Sequence, residues 1–207
     1  MSPRPRSGKP KRSPSRAAVR PQLLLYVEGR RTEEEYLVYW SRLYRTTIRV
    51  AIAPERGVPS TLVDLAIKAK RQAEREARRG RGSAWDGIWC VFDEDAHPGL
   101  HDAIARATAN GIRLAVSSPC IELWFLLHFE DQTGHISRHD AQSRLRHLLD
   151  CGKGLTDQAL ALLGERYDQA RDRAMSLDAK HEDDRSPQRS NPSSEMWKLI
   201  DQIQGVQ

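Results

Sequence analysis

Two aspartates one residue apart, Asp93 and Asp95, end the apolar run Gly87-Ile-Trp-Cys-Val-Phe92, and a glutamate, Glu28, ends a second run, Gln22-Leu-Leu-Leu-Tyr-Val27. Side chains alternate along an extended chain, so Asp93 and Asp95 leave on one side and Glu94 on the other. Carboxylates that close repel, and a proton, a basic neighbour or a divalent cation must relieve them. The expected relief is magnesium or manganese. An ion held by Asp93 and Asp95 would polarise a phosphate oxygen, while Glu28 would complete the coordination or act as general acid or base. Arg30, Arg31 or Lys153 could then neutralise the phosphate.

Those acids need a scaffold. Short apolar runs bounded by Gly and charge suit strands covered on both faces, as in a parallel sheet. Further strands are predicted over residues 47–53 and 113–117, and helices over 32–44, 60–79 and 99–110. Thr32 with Glu35 reads as a capping box, and Asn110-Gly111 as a helix stop. The β-α-β-α-β-α-β alternation across residues 22–118 calls for a mostly parallel four-stranded sheet flanked by helices. Glu28 alone would read as a solvated turn residue. In this topology it shares the carboxyl edge of the sheet with Asp93 and Asp95, where open α/β sheets bind ligands, and Gly29 permits a close turn there.

The nearly all-apolar stretch 117–129 reads as a buried helix, with Ser118 as cap and Pro119 in the first turn. It carries Glu122 and His128. Glu122, in the first turn, is favoured by the helix dipole and can support a metal or orient a partner. His128 lies roughly 120° around an ideal helix from Glu122, so the two do not aim at one atom, and a lone His among apolar residues is usually a core residue. His97/His101 and His135/His139 have ligand spacing without companion motifs and read as surface residues. Lys153, in Cys151-Gly-Lys-Gly154, sits in a loop where it faces either water or the acidic edge.

Beyond residue 134 the pattern becomes helical, with helices over 137–149, 156–164, about 167–180 and from Asn191, and an exposed loop at 181–190. The expected organisation is a basic arm over 1–20, an α/β domain over 21–134 and a helical C-terminal extension over 135–207. Of the 207 residues, the first 20 carry seven Lys or Arg, four of the eleven prolines and no acid. They are predicted to be disordered, as a solubilising extension or a phosphate-binding arm. The net charge of +5 therefore belongs to the arm, since 26 basic residues face 28 acidic ones in the remainder. Composition thus gives no support for a broad cationic surface on the body. The charged face of the 60–79 helix reads as solvated, although Arg78, Arg79 and Arg81 could meet phosphates. Three scattered cysteines make neither a disulfide framework nor a zinc ribbon. No run approaches the ~20 apolar residues of a membrane span, and the start lacks a secretion signal's apolar centre. A cytoplasmic protein is expected.

The blocks Tyr26-Val-Glu28-Gly-x-x-Thr32-Glu33, Trp89-Cys-Val-Phe-Asp93-x-Asp95-x-His97, Ser117-x-Pro-Cys-x-Glu122-Leu-Trp-x-Leu-Leu-His128-Phe129 and Asn191-Pro-Ser-Ser194 together resemble the RloB-like family, over roughly residues 22 to 200. The third block is the most specific. The resemblance implies a Toprim-like (Rossmann-like) fold, the setting of prokaryotic restriction and antiviral defence, and metal-dependent nuclease activity on RNA, such as tRNA, or on DNA. It makes Glu28 the acid after the first Toprim strand and Asp93 and Asp95 the metal pair. It places Glu122, His128 and Lys153 at positions typical of the branch, hence as candidate catalytic residues. Glu94 departs from the basic residue of many relatives, which bears on contacts with the substrate strand. The alternative function is a non-cleaving metal-binding sensor of nucleic acid or a phage product that works through a partner defence protein.

Overall fold

The computed structural model describes residues 20–29, 31–94, 99–149 and 154–206. Arg30, Asp95, His97, Cys151, Lys153 and all of the basic arm but Arg20 lie outside them. Among the described residues five strands form one sheet: β1 (Gln22–Val27), β2 (Arg49–Ile52), β3 (Gly87–Asp93), β4 (Arg113–Ser118) and β5 (Ser193–Ser194), in the order β2-β1-β3-β4-β5. The first four are parallel, and β5 runs antiparallel to β4. The helices are α1 (Thr32–Leu43), α2 (Pro59–Arg78), α3 (Leu100–Ala109), α4 (Ile121–Leu126), α5 (Arg138–Leu149), α6 (Asp157–Glu165), α7 (Tyr167–Asp183) and α8 (Met196–Gln204).

The two-residue period of the strands divides the core. Leu23, Leu25, Val27, Trp89 and Val91 face one hydrophobic cluster, built with α1 and α4 to α8. Leu24, Tyr26, Ile88, Cys90 and Phe92 face the other, built with α2 and α3. Burial on both faces is why β1 and β3 read as unbroken apolar runs rather than alternating ones. The C-terminal helices thus share one core with the sheet.

The strand order also fixes where the chain reverses. From β1 it crosses to β2 through α1, on one face, and from β3 it crosses to β4 through α3, on the other. The adjacent carboxyl ends of β1 and β3 are therefore the topological switch point of the sheet, where such folds open a crevice.

Five local expectations change. The sheet has five strands rather than four, because Ser193 and Ser194 pair with Ser118 and Ser117. The last helix begins at Met196 and not Asn191; the Asn191 amide instead clasps Ile136, accepting from its N–H (3.0 Å) and donating to its C=O (2.8 Å). Thr32 opens α1 without capping it, and Glu35 accepts the Leu155 N–H (2.6 Å) rather than closing a capping box. The 117–129 helix is only α4, since Ser117 and Ser118 belong to β4 and Cys120 is the N-cap, with no side-chain cap. In addition, α7 runs past His181 into the expected loop. Gly111, at φ +63°, closes α3 as expected. Among the described residues no helix is long and apolar enough to cross a membrane.

Candidate active site at the acidic strand edge

Asp93 is the last residue of β3, and its side chain is only 14% exposed. Its Oδ1 accepts the Ile121 N–H at the start of α4 (2.9 Å), and its Oδ2 accepts from Arg138 Nη2 (3.0 Å). The main chain of Glu28 continues the β1 ladder, its N–H bonding Val91 O (3.0 Å), and its Oε2 accepts the Asp93 N–H (3.4 Å). The acids predicted at the ends of two different strands therefore meet across the switch point.

Two further carboxylates join them. Glu33, in the first turn of α1, folds back over the turn after β1, where a Cβ on Gly29 would lie 2.0 Å from its Oε1. Gly29 leaves room for the end of that side chain, which a Cβ would push aside. Glu122, in the first turn of α4, accepts from Gln142 Nε2 (3.3 Å) on α5. Burial raises the Glu33 pKa, Glu122 and Glu28 raise it further, and Arg138 opposes them. Asp93 is pushed up to about 8, by burial first, against Arg138 and with Glu33, Glu122 and Glu28 adding to the rise. Cys120, buried beside Glu122, keeps its proton for the same reasons.

Among the described residues, Glu28, Glu33, Asp93 and Glu122 gather around Arg138, and this crowding of acids favours the protonated forms of Asp93 and Glu33. Arg138 is set by α5, whose start is fixed by Ser137: its hydroxyl donates to Asp140 Oδ2 (2.7 Å) and accepts the Asp140 N–H (3.1 Å). Arg138 also reaches Pro119 O (3.4 Å), tying α5 to the link between β4 and α4. Sequence reasoning gave Glu33 no role beyond its place at the end of the first family block, which was its available signal, and passed over Arg138, which carries none.

The donor chemistry here, clustered carboxylate oxygens, suits a hard divalent cation. Among the described residues no three His, Cys, Asp or Glu side chains form a ready cage for an ion. Asp95, the other half of the expected metal pair, lies outside them.

His128 is placed in the core. Its Nδ1–H donates to Trp124 O (2.9 Å), which leaves Nε2 to accept from the Tyr36 hydroxyl (3.5 Å), and Trp124, Tyr36 and Phe125 surround the ring. Burial lowers its pKa to about 3, with Arg173 and Arg166 as the charged neighbours, so the ring is neutral. None of these contacts is with Glu28, Asp93 or Glu122. Lys153 lies outside the described residues; Gly154 after it packs against Arg31 and Glu35 at the start of α1.

A protein-family model described as RloB-like protein matches residues 23–203. No curated protein matches the chain.

Proposed function

The chain belongs to the RloB-like family, and on that premise we propose that the acidic strand edge is the active site of a metal-dependent nuclease, hydrolysing phosphodiesters of RNA (tRNA included) or DNA in prokaryotic antiviral defence, on a Toprim-type version of its α/β fold. The observation that carries this reading is Asp93, buried at the switch point among Glu28, Glu33 and Glu122 with Arg138 as its ion-pair partner. Glu28 and Asp93, with Asp95, would hold magnesium or manganese, which when bound neutralises their charge and polarises a phosphate oxygen.

The other roles fall to the chain's own groups. Glu33, with a carboxyl held above its ordinary range and within the crevice, suits proton transfer nearer neutrality than a free glutamate. Arg138 can exchange part of its contact with Asp93 for a phosphate oxygen, as a planar guanidinium does well. Glu122 buttresses α5 through Gln142, and His128 supports α4 from inside the core. The seven basic residues of the first 20 would add affinity for nucleic acid that falls with salt.

A second reading, a metal-binding sensor that does not cleave and acts through a partner protein, draws on the fact that both Asp93 oxygens are already engaged. The test is incubation with tRNA, single-stranded RNA and supercoiled DNA in magnesium or manganese, comparing the wild type with Asp93→Asn. Metal-dependent products from the wild type alone support the nuclease. Binding without products, weakened by Asp93→Asn, supports the sensor, and cleavage undiminished by Asp93→Asn refutes the assignment of the site.

A further inference from the structure

The end of α7, the loop after it and the start of α8 border an open cavity of about 600 Å³ on the β5 side of the sheet. None of Glu28, Glu33, Asp93, Glu122 and Arg138 lines it. Its volume is in the range of small-molecule sites.

Two atoms of its wall are buried without a hydrogen-bond partner, Ser193 Oγ and His181 Nδ1. Ser193 is only 3% exposed, and its neighbour Ser194 shows the ordinary alternative by pairing its hydroxyl with Ser117 (2.9 Å). An unpaired buried hydroxyl is costly and calls for a partner from outside the chain. The tautomer of His181 is settled by its other nitrogen, because Pro192 O (2.9 Å) can only accept. In the neutral ring Nε2 therefore carries the proton, and the buried Nδ1 keeps an unused lone pair.

The loop supplies the opposite chemistry. Arg185 and Arg189 both line the cavity from left-handed backbone, at φ +53° and +65°, a conformation uncommon for residues other than glycine. Glu195 answers two cations at once, Arg189 (3.0 and 3.2 Å) and Lys198 (3.1 Å). Arg185 has no ion-pair partner among the described residues. Of the remaining acids, Asp178 is held by the Trp197 indole N–H (3.3 Å) with its pKa raised by burial, and Glu182 is exposed on the rim.

Cations at one wall, with an acceptor lone pair and a free hydroxyl at another, match a ligand bearing an anion at one end and O–H or N–H donors at the other. We propose that this cavity binds a phosphate monoester of mononucleotide size, its phosphate toward Arg185 and Lys198 and its hydroxyl or amino donors toward His181 Nδ1 and Ser193 Oγ. The site is separate from the acidic edge and needs no metal.

Calorimetric titration of the full chain in chelator with adenosine monophosphate, ribose 5-phosphate, adenosine and inorganic phosphate tests this. One saturable site is expected for the first two probes, at least about tenfold tighter than for the last two. A preference for the nucleotide over ribose 5-phosphate identifies a nucleotide as the source, and equal affinity identifies a sugar phosphate. Ser193→Ala and Arg185→Gln should each weaken binding about tenfold without lowering the thermal midpoint, since neither removes a hydrogen bond of the fold. Asp93→Asn should leave binding unchanged, which separates this site from the proposed nuclease centre. The proposal is overturned by absence of saturation in the millimolar range, by adenosine or phosphate alone binding as well, by Ser193→Ala and Arg185→Gln binding like the wild type, or by loss of binding in Asp93→Asn.

Discussion

The charge state of Asp93 makes a stability prediction whose sign can be worked out in advance. Its carboxyl is pushed from 3.8 to about 8 in the folded protein. The folded state thus binds the proton more tightly than the unfolded chain, so stability is fullest below the unfolded pKa and is lost as pH rises through the folded one. Each unit of difference is about 1.4 kcal/mol, which sets a ceiling of about 6 kcal/mol for the whole shift. That is as much as many domains possess. Asp93→Asn removes the titrating group while keeping an acceptor for the Ile121 N–H. Its amide N–H₂ then faces Arg138, a mismatch that costs about 1–3 kcal/mol but does not vary with pH. The diagnostic quantity is therefore the slope. Urea denaturation in chelator between about pH 5 and about pH 8 should show wild-type stability falling by up to about 1.4 kcal/mol per unit, with the Asp93→Asn curve markedly flatter. Added magnesium or manganese should restore wild-type stability at the alkaline end and leave the variant nearly unmoved. Parallel pH curves for the two proteins would refute the reasoning, because Asp93 would then be ionised and already satisfied by Arg138.

Three further outcomes follow from the same contacts. Gly29→Ala brings a Cβ to 2.0 Å from Glu33 Oε1, the end of a flexible side chain; it should turn that carboxylate aside at a cost of no more than about 1 kcal/mol in denaturation and weaken manganese binding in calorimetry. Glu33→Gln should flatten the pH dependence of stability in the same sense as Asp93→Asn, since burial and its acidic neighbours raise Glu33 too. Asn191→Ala loses both bonds to Ile136, two residues before Arg138; about 1–2 kcal/mol should be lost in thermal unfolding, with a lowered affinity for manganese as α5 loosens.

Local pattern carried much of this protein. The apolar runs ending at Val27 and Asp93, with helical periods between them, foretold parallel strands buried on both faces and carboxylates delivered to one edge, because burial on a period of two or of 3.6 is written in consecutive residues. Membership of the family was legible for the same reason, in contiguous blocks. The assembly of the site was legible only in part. Asp93 and Glu28 could be placed on one edge from the alternation, but that β1 and β3 are neighbours, and so form the switch point, depends on strand order. Arg138 meets Asp93 across 45 positions, and Glu35 abandons its expected cap for Leu155 across 120. Such pairs leave no periodic mark in the chain. A lone charge or amide finds its partner only once the sheet and helices have brought distant segments within hydrogen-bond reach, as with Asn191 at Ile136. The same holds for His128, whose neutrality comes first from burial and then from the nearby Arg173 and Arg166, and for the cavity beside β5, whose wall exists only where Ser193 is pinned to Ser118. Sequence determined what could be buried and which acids would stand at the strand ends; tertiary structure decided which groups answer them, because electrostatic and hydrogen-bond partners are chosen by distance in space.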